Sequence, residues 1–295
     1  MRVLFDVLRD GLAAINGAAD QMNAARQQVT SGRRVTSASD DPLAAQQAIG
    51  EYATMGGLDA YKRSADSAAA RLSAADTVLG GVVDKLTAGI VAAMSGRGTE
   101  TTAAERSAAA AEVRQLRASL VSDINSTFQG SYLFSGTEVN TPAYVASGGG
   151  YTYQGNNASA QIEIDHGRLV TVSFDGQAIA QGSDAVDVFT AMDDLANAIE
   201  AGDDAAIGSG IDALERAFDR ASRLQGRLGA DERGVDEATQ RLAALRLAAE
   251  NRRSKLEDAN MPEAITRMNE ADTAYRAALG AVSSAERVSL LDYLR

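Results

Sequence analysis

Apolar residues recur at steps of three and four near both ends of the chain, and this spacing limits the fold more than any other feature. The first stripe comprises Leu8, Leu12, Ile15, Ala19, Met22, Arg26 and Val29, and the last comprises Met261, Ile265, Met268, Asp272, Tyr275, Leu279 and Val282. Steps of three and four align residues along one side of an α-helix. We therefore predict a helix with a narrow apolar stripe at each end, the first interrupted only by Arg26.

Two longer stripes lie between the ends, over residues 58–86 and 207–242. Alanine makes up roughly one-fifth of the 295 residues, aromatic residues only 5%, and there are only 3 prolines. This composition is typical of long, slender helices rather than of a bulky globular core. Thr102 and Glu105 have the spacing of a capping box and predict the start of another helix.

The pattern changes from about Gly130 to Gln181, where Gly, Tyr, Thr, Val and Ile dominate. Ile162 and Ile164 alternate with acidic residues, and Val170 begins a second alternating run. Period-two alternation predicts strands. His166 and Gly167 lie in the turn between the two runs, so this segment is predicted to form a hairpin.

The expected fold is mainly α. It is an elongated bundle of long coiled-coil-like helices, formed by the N- and C-terminal parts, with a small β-rich insertion domain in the middle. We predict five parts: a terminal core helix at 1–32, a helical body at 33–130 and 184–258, the β-rich insertion at 131–183, and a terminal core helix with its tail at 259–295. Short isolated helices are marginal in water. We therefore expect the two terminal helices to be disordered in the monomer.

The charge and residue content exclude several function classes. A net charge of −12 gives no electrostatic attraction to nucleic acid or to anionic membranes. The sequence contains no run of about 18 apolar residues, so no membrane span is predicted. Asp6, Arg9 and Asp10 interrupt the stretch that a cleaved signal peptide would need. With no cysteine in the chain, disulfides and thiolate chemistry are excluded.

No pattern of catalytic, cofactor-binding or metal-binding residues is recognisable. His166 is the only histidine, and a histidine metal site usually needs further His or Cys ligands. The carboxylate pairs Asp40–Asp41, Asp193–Asp194 and Asp203–Asp204 each lie beside a predicted helix end, where capping is the simpler interpretation. We expect no cofactor, no metal and no enzymatic activity.

The segment "TSGRRVTSASDDPLAA" breaks the helical pattern after the first stripe. Gly32 is placed to end the first helix, and Asp40 or Asp41 to cap the next, with Pro42 in its first turn. Arg33 and Arg34 have two open roles: plain solvation, or pairing with carboxylates of this subunit or of the next one.

The terminal stripes are too thin to be covered well by each other alone. The ordinary interpretation of such a stripe is an intrachain core. For the terminal helices we instead predict contact with other copies of the chain. The predicted assembly residues are Leu8, Leu12, Ile15, Met22, Val29, Ile265, Met268, Tyr275, Leu279, Val282, Leu290, Leu291 and Leu294.

Three segments resemble one known family, in the expected order along the chain. "SGRRVTSASDDPLAA" resembles a segment of the flagellin superfamily. "FQGSYLFSGTEVNTPAY" and the ending "ITRMNEADTAYRAALGAVSSAERVSLLDYL" are similar to hook-associated protein 3, a family within it. The matching pieces cover about a third of the chain. Arg26 on the first stripe and the trailing Arg295 depart from the family pattern.

This resemblance implies a structural subunit of the bacterial flagellum, located outside the cell and exported by flagellar type III secretion. It implies a ring of copies joining the hook to the filament, with terminal helices inside and the β insertion outside. The implied partners are a hook-associated protein on the hook side, flagellin or another filament-side protein, and an export chaperone on the helix from Met261 to Leu294.

Two alternatives stay open at this stage. A filament flagellin would share both ends, although flagellins usually lack the "YLFSG" motif at Tyr132–Gly136. A secreted enzyme or adhesin on a flagellin-like scaffold would need a site in the insertion, which is short and nearly devoid of catalytic residue types.

Overall fold

The computed structural model describes the backbone of residues 2–98 and 101–293, and the side chains of residues 9–98 and 101–284. Seven helices account for most of this length. They are α1 (Arg2–Ser31), α2 (Pro42–Ser95), α3 (Ala103–Ile124), α4 (Gly176–Ala180), α5 (Val188–Ala201), α6 (Asp204–Glu257) and α7 (Met261–Tyr293). The mainly helical fold and the β-containing middle segment predicted from the sequence are therefore confirmed.

Six short strands form three separate antiparallel hairpins in the described chain. They are β1 (Thr127–Phe128) with β2 (Ser131–Tyr132), β3 (Tyr144–Ser147) with β4 (Gly150–Tyr153), and β5 (Gln161–Asp165) with β6 (Arg168–Thr171). The predicted hairpin is the last of these, with Ile162 opposite Val170. Gly167 supplies the positive φ of its turn, at 72°.

The chain divides into two compact units. The end unit comprises Met1–Gly57 and Ala244–Arg295, and the middle unit comprises Leu58–Ala243. The finer five-part division of the sequence stays a prediction.

The core of the middle unit is built from the predicted stripes of the two long helices. Leu72, Leu79 and Leu86 of α2 and Leu214 and Leu228 of α6 are fully buried. Helices α3 and α5 pack against each other within the same unit. The capping box at the start of α3 is confirmed, because the Thr102 side chain accepts from the Glu105 N–H while the Glu105 carboxylate accepts from the Thr102 N–H.

The β-rich segment is packed onto this core. Asn125, at the end of α3, bonds to Tyr144 through both the donor and the acceptor of its side-chain amide, at 2.8 and 2.9 Å. The Tyr144 and Tyr151 rings pack edge-on against Phe189 of α5, with centroids 4.9 and 5.4 Å apart. The insertion is thus held to the helices by ring packing as well as by backbone-like hydrogen bonds.

Two expectations from the sequence need correction. Asp193 and Asp194 lie within α5 rather than at a helix end, and Asp193 accepts a hydrogen bond from Arg117 at 3.3 Å. Helix α2 is long and apolar enough, by length and composition alone, to cross a membrane. One helix of this kind is weak support for a span, since a core helix passes the same test and α2 carries the buried stripe of the middle unit.

Candidate assembly site on the terminal helices

Helices α1 and α7 of the end unit pack against each other along their length. Two contacts give the relative direction of the helices. After the end of α1 and before the start of α7, the Ala259 N–H donates to the Gly32 carbonyl at 2.9 Å, and further along the pair Gly11 of α1 lies beside Val282 of α7. The two helices are therefore antiparallel. The buried and half-buried residues that alternate at steps of three and four are Gly11, Ile15, Ala18, Met22, Ala25 and Val29 on α1, and Ala264, Met268, Ala271, Tyr275, Ala278 and Val282 on α7.

This inner stripe is not the one predicted from the sequence, although every second member is shared. Gly11 and Ala25 lie inward where Leu12 and Arg26 were expected, whereas the predicted Ala19 and Asp272 are half-buried, as the residues before them are. Arg26 is exposed and does not interrupt the pairing. Small residues let two helices approach closely. A Cβ added at Gly11 would come within 2.8 Å of Val282 Cγ2.

Larger apolar side chains are left exposed beside the inner stripe. Leu12 is 51% exposed, Met261 38%, and Ile265 and Leu279 43% each. Leu12 follows Gly11, and Leu279 follows Ala278, so both are rotated in the same sense away from the stripe, by about 100°. Because the helices are antiparallel, the same rotation brings both side chains to one side of the pair. We call Leu12, Met261, Ile265 and Leu279 the apolar flank.

The remaining predicted assembly residues cannot be placed on this pair. The side chains of Leu8, Leu290 and Leu291 lie outside the described residues, and so does Leu294. The described members of the prediction separate into two groups. Ile15, Met22, Val29, Met268, Tyr275 and Val282 face the partner helix within the chain, whereas Leu12, Ile265 and Leu279 belong to the apolar flank.

The loop after α1 and the turn before α7 bind each other at the base of the pair. Gly32, with φ of 69°, ends α1 as predicted. The Arg34 N–H donates to the Glu257 carbonyl at 2.6 Å, and Arg33 forms an antiparallel bridge with Asp258. These backbone bonds join the two breaks in the helical pattern, which are more than 200 residues apart in the sequence.

Glu257, at the end of α6, is the centre of a polar cluster beside this backbone pairing. The residue is only 8% exposed, and its carboxylate accepts a hydrogen bond from the Tyr52 hydroxyl at 2.9 Å. Arg33 and Arg253 lie 3.8 and 4.0 Å from the same carboxylate. We call Arg33, Tyr52, Arg253 and Glu257 the clasp. A buried carboxylate with two cations and a hydroxyl donor satisfies the requirement that a buried charge be paired.

Arg34 is also held within its own chain. Its Nη1 donates to Asp41 Oδ2 at 3.0 Å and its Nη2 to the Leu256 carbonyl at 2.9 Å. Asp41 also caps α2, accepting from the Ala44 N–H at 3.1 Å, and Pro42 is the first residue of that helix. The hydrogen bond from the Ala44 N–H is the largest cause that lowers the pKa of Asp41 below its ordinary value, and the hydrogen bond from Arg34 is the next.

Asp40 has a separate local role in the same loop. It accepts from the Thr36 and Ser37 N–H groups at 2.9 and 2.8 Å. The Thr36 bond is the larger of these two causes that lower the pKa of Asp40. Arg33 and Arg34 therefore both lie beside carboxylates of their own chain. Of the two roles left open by the sequence, this is pairing rather than plain solvation. Sequence reasoning missed Tyr52, Arg253 and Glu257, because no local spacing links them to the loop.

The described residues contain no group of three or more His, Cys, Asp or Glu side chains that could hold a metal ion. His166 is exposed in the turn between β5 and β6, where its backbone N–H bonds to Asp165. What the end unit offers instead is a braced helix pair with an apolar side. Such a surface suits packing against another helical protein.

Comparison with known proteins identifies the family. Residues 11–139 match the bacterial flagellin N-terminal helical region, and residues 211–294 match the bacterial flagellin C-terminal helical region. The two matches together cover most of the chain, in the expected order. The chain belongs to the flagellin family.

Individual relatives are flagellar hook-associated proteins. The chain is 28% identical over 155 residues to flagellar hook-associated protein 3 of Salmonella typhimurium, a stretch that spans 52% of this chain and 48% of that protein, about half of its length. A hook-associated protein of Vibrio parahaemolyticus superposes with a TM-score of 0.70 at 21% identity, over 74% of this chain and all of that one. The flagellar junction protein of Legionella pneumophila gives 0.61 at 12% identity, over 72% of this chain and 100% of its own. These solved structures share the fold.

Proposed function

We propose that this chain is a structural subunit of the bacterial flagellum that joins the hook to the flagellin filament. The observation that carries the proposal is the similarity to hook-associated protein 3, found on a chain that also matches both flagellin helical regions. The "YLFSG" motif and the "SLLDYL" ending support a junction protein over a filament flagellin. The proposed role is mechanical, an adaptor between two tubular lattices.

In this proposal, copies of the chain form a ring through their terminal helices. The apolar flank supports this step, because Leu12, Ile265 and Leu279 are large apolar side chains that are only about half covered in the single chain. Burying them against a neighbouring copy would remove apolar surface from water, which is the usual driving force of association. The clasp holds the pair at its base, so that α1 and α7 present the flank together.

The remaining partners follow from the same family. We propose a hook-associated protein as neighbour on one side, and flagellin or another filament-side protein on the other. Export through the flagellar type III channel and a chaperone on the helix from Met261 to Leu294 complete the proposal, with the final location outside the cell. In this proposal the insertion faces outward from the ring.

The gene deletion tests the proposal. A strain without this chain should carry hooks without attached filaments, and the wild-type gene should restore them. Labelled protein should appear by electron microscopy as a band at the hook end. Label along the whole filament would instead identify a flagellin, and normal filaments in the deletion strain would contradict both roles. Hydrolase activity that is lost on His166→Ala would revive the enzyme alternative.

A further inference from the structure

Helix α2 contains two pairs of adjacent glycines, and the structure gives them different surroundings. At Gly80–Gly81 an added Cβ would lie 3.8 Å from Gln225 Nε2 at the first position and 3.3 Å from Asp123 Oδ2 at the second, so this pair faces other helices. At Gly56–Gly57 both residues are exposed, and an added Cβ would meet no described atom within 4 Å outside its own stretch of helix. Packing therefore gives no reason for glycine at the second pair.

The pair Gly56–Gly57 lies in the least covered part of α2. Ala48 and Ala65 are buried, but none of residues 49–64, all of which the structure describes, is buried. Elsewhere from Ala44 to Ala93, buried residues are no more than four positions apart. A segment with few buried contacts opens locally at low free energy, and glycine destabilises a helix more than any residue except proline.

Helix α6 has no such weak stretch at the corresponding boundary. The two compact units divide after Gly57 on α2 and after Ala243 on α6, within unbroken helices in both cases. Residues 241–250 of α6 read "RLAALRLAAE", a run made only of strong helix formers. Leu242, Ala249 and Glu257 are all buried. A change of direction at this boundary is therefore easier for α2 than for α6.

Helix α2 is held firmly on both sides of the glycine pair. Before it, Glu51 accepts from Arg252 Nε and Nη2 at 2.7 and 2.9 Å, and Tyr52 belongs to the clasp. After it, Ala65 and Leu72 are fully buried in the core of the middle unit. A weak stretch between two fixed ones confines bending to the weak stretch, which is the arrangement of a hinge.

We infer that Gly56–Gly57 is a joint at which α2 bends, and that copies of the chain use this bend to fit their terminal helices into the assembly. The first part of α2, which carries Tyr52 of the clasp, can then change direction while the core of the middle unit stays intact. The use in assembly rests on the proposed function, because an adaptor between two tubular lattices must conform to both. The bend itself is a property of the single chain and can be measured on it.

Spin labels on both sides of the pair measure the bend in the purified protein. The chain has no cysteine, so Gln46→Cys with Ser67→Cys provides two exposed labelling sites centred on the glycine pair. In a straight helix these positions are about 32 Å apart along the axis. Double electron–electron resonance should show a broad distance distribution that includes shorter values, and Gly56→Ala with Gly57→Ala should reduce its width by about half.

The other glycine pair of the same helix provides the matched control. Ala70→Cys with Val91→Cys has the same separation, is equally exposed to labelling and is centred on Gly80–Gly81. Because that pair is packed against other helices, its distance distribution should be narrow in the wild-type background. Thermal melts of the labelled proteins check that each one folds and that the double alanine variant is no less stable than wild type.

The double alanine variant also tests the use of the bend in assembly. Each glycine-to-alanine change should lower the population of the bent helix about fivefold. If assembly takes the bent form, the variant should restore filaments to at least about fivefold fewer hooks of the deletion strain than wild type does. Gly226→Ala replaces a lone exposed glycine of α6 that also has open space, and it should leave filament attachment unchanged.

The outcomes separate the joint from the proposed function. If the distribution across Gly56–Gly57 is as narrow as the one across Gly80–Gly81, α2 does not bend there and the inference is wrong. If it is broad but the double alanine variant attaches filaments as well as wild type does, assembly does not use the bend. Normal filaments in the deletion strain would overturn the proposed function, whereas the distance measurements would still decide whether the joint exists.

Discussion

Replacing Leu279 by aspartate separates stability of the single chain from assembly. Leu279 is 43% exposed on the apolar flank. Full burial of a leucine side chain is worth about 1.5–3 kcal/mol, so the already covered part accounts for roughly 1–2 kcal/mol and assembly can add roughly another 1 kcal/mol. In the free protein the carboxylate keeps much of its water. Leu279→Asp should therefore lower the stability of the α1–α7 pair by no more than about 2 kcal/mol.

The same carboxylate has a much larger effect in the assembled ring. Covering the flank would bury an unpaired charge, at a cost of about 3–5 kcal/mol. Since each 1.4 kcal/mol is a factor of ten, incorporation should fall by about 150-fold or more. The assay is the fraction of hooks with filaments in the deletion strain, read by electron microscopy beside the motility of the cells.

Ala277→Asp provides the matched control. Ala277 is exposed two positions earlier on α7, about 200° around the helix from Leu279. It introduces the same charge without touching the flank, so it should leave filament attachment near wild type. Normal attachment with Leu279→Asp, or equal loss with both variants, would refute the assignment of the apolar flank to assembly.

Three further predictions concern the end unit. Tyr52→Phe removes the hydroxyl donor of the clasp and should destabilise the end unit by about 1.5–3 kcal/mol. The loss should appear as faster amide exchange at the end of α6. The control Tyr61→Phe loses only a 3.5 Å hydrogen bond and should have little effect. The folded pKa of Asp41 lies below its ordinary value of 3.8, so its contribution to stability is present above that value and is lost as the pH falls. The protection factors of the amides at the start of α2, which correct for the intrinsic exchange rate, should therefore fall on going from about pH 6 to pH 3, and Asp41→Asn should remove that dependence. Gly17→Ala has open space and should stabilise α1 by about 0.5–1 kcal/mol in thermal melts, whereas Gly11→Ala meets the partner helix and should give no gain; equal gains would contradict the close approach of the pair.

The sequence predicted elements whose signals are local. The capping box at Thr102 and Glu105, and the hairpin of Ile162 and Val170, each depend on residues within one turn or one strand pair. The glycine that ends α1 is of the same kind, since only its own φ matters. These features could be read from spacing because no distant partner decides them.

Features that depend on a distant partner could not be predicted in detail. A helical stripe is about 100° wide or more, so spacing alone does not tell Gly11 from Leu12 as the inward residue. Contact with α7 decides the matter, because the residue beside Gly11 is Val282, which lies more than 250 residues away in the sequence. The clasp is a similar case, because Tyr52 and Glu257 meet only after α2 and α6 have folded.

Cysteine accessibility measures whether other copies cover the apolar flank on assembly. The chain has no cysteine, so Leu279→Cys and Ala277→Cys each introduce a unique thiol. In the free protein both thiols should react readily with a maleimide dye. In isolated flagella the thiol at position 279 should be protected at least about tenfold, while the thiol at 277 stays reactive. Equal labelling of position 279 in the free and assembled states would show that the flank stays uncovered in the assembly.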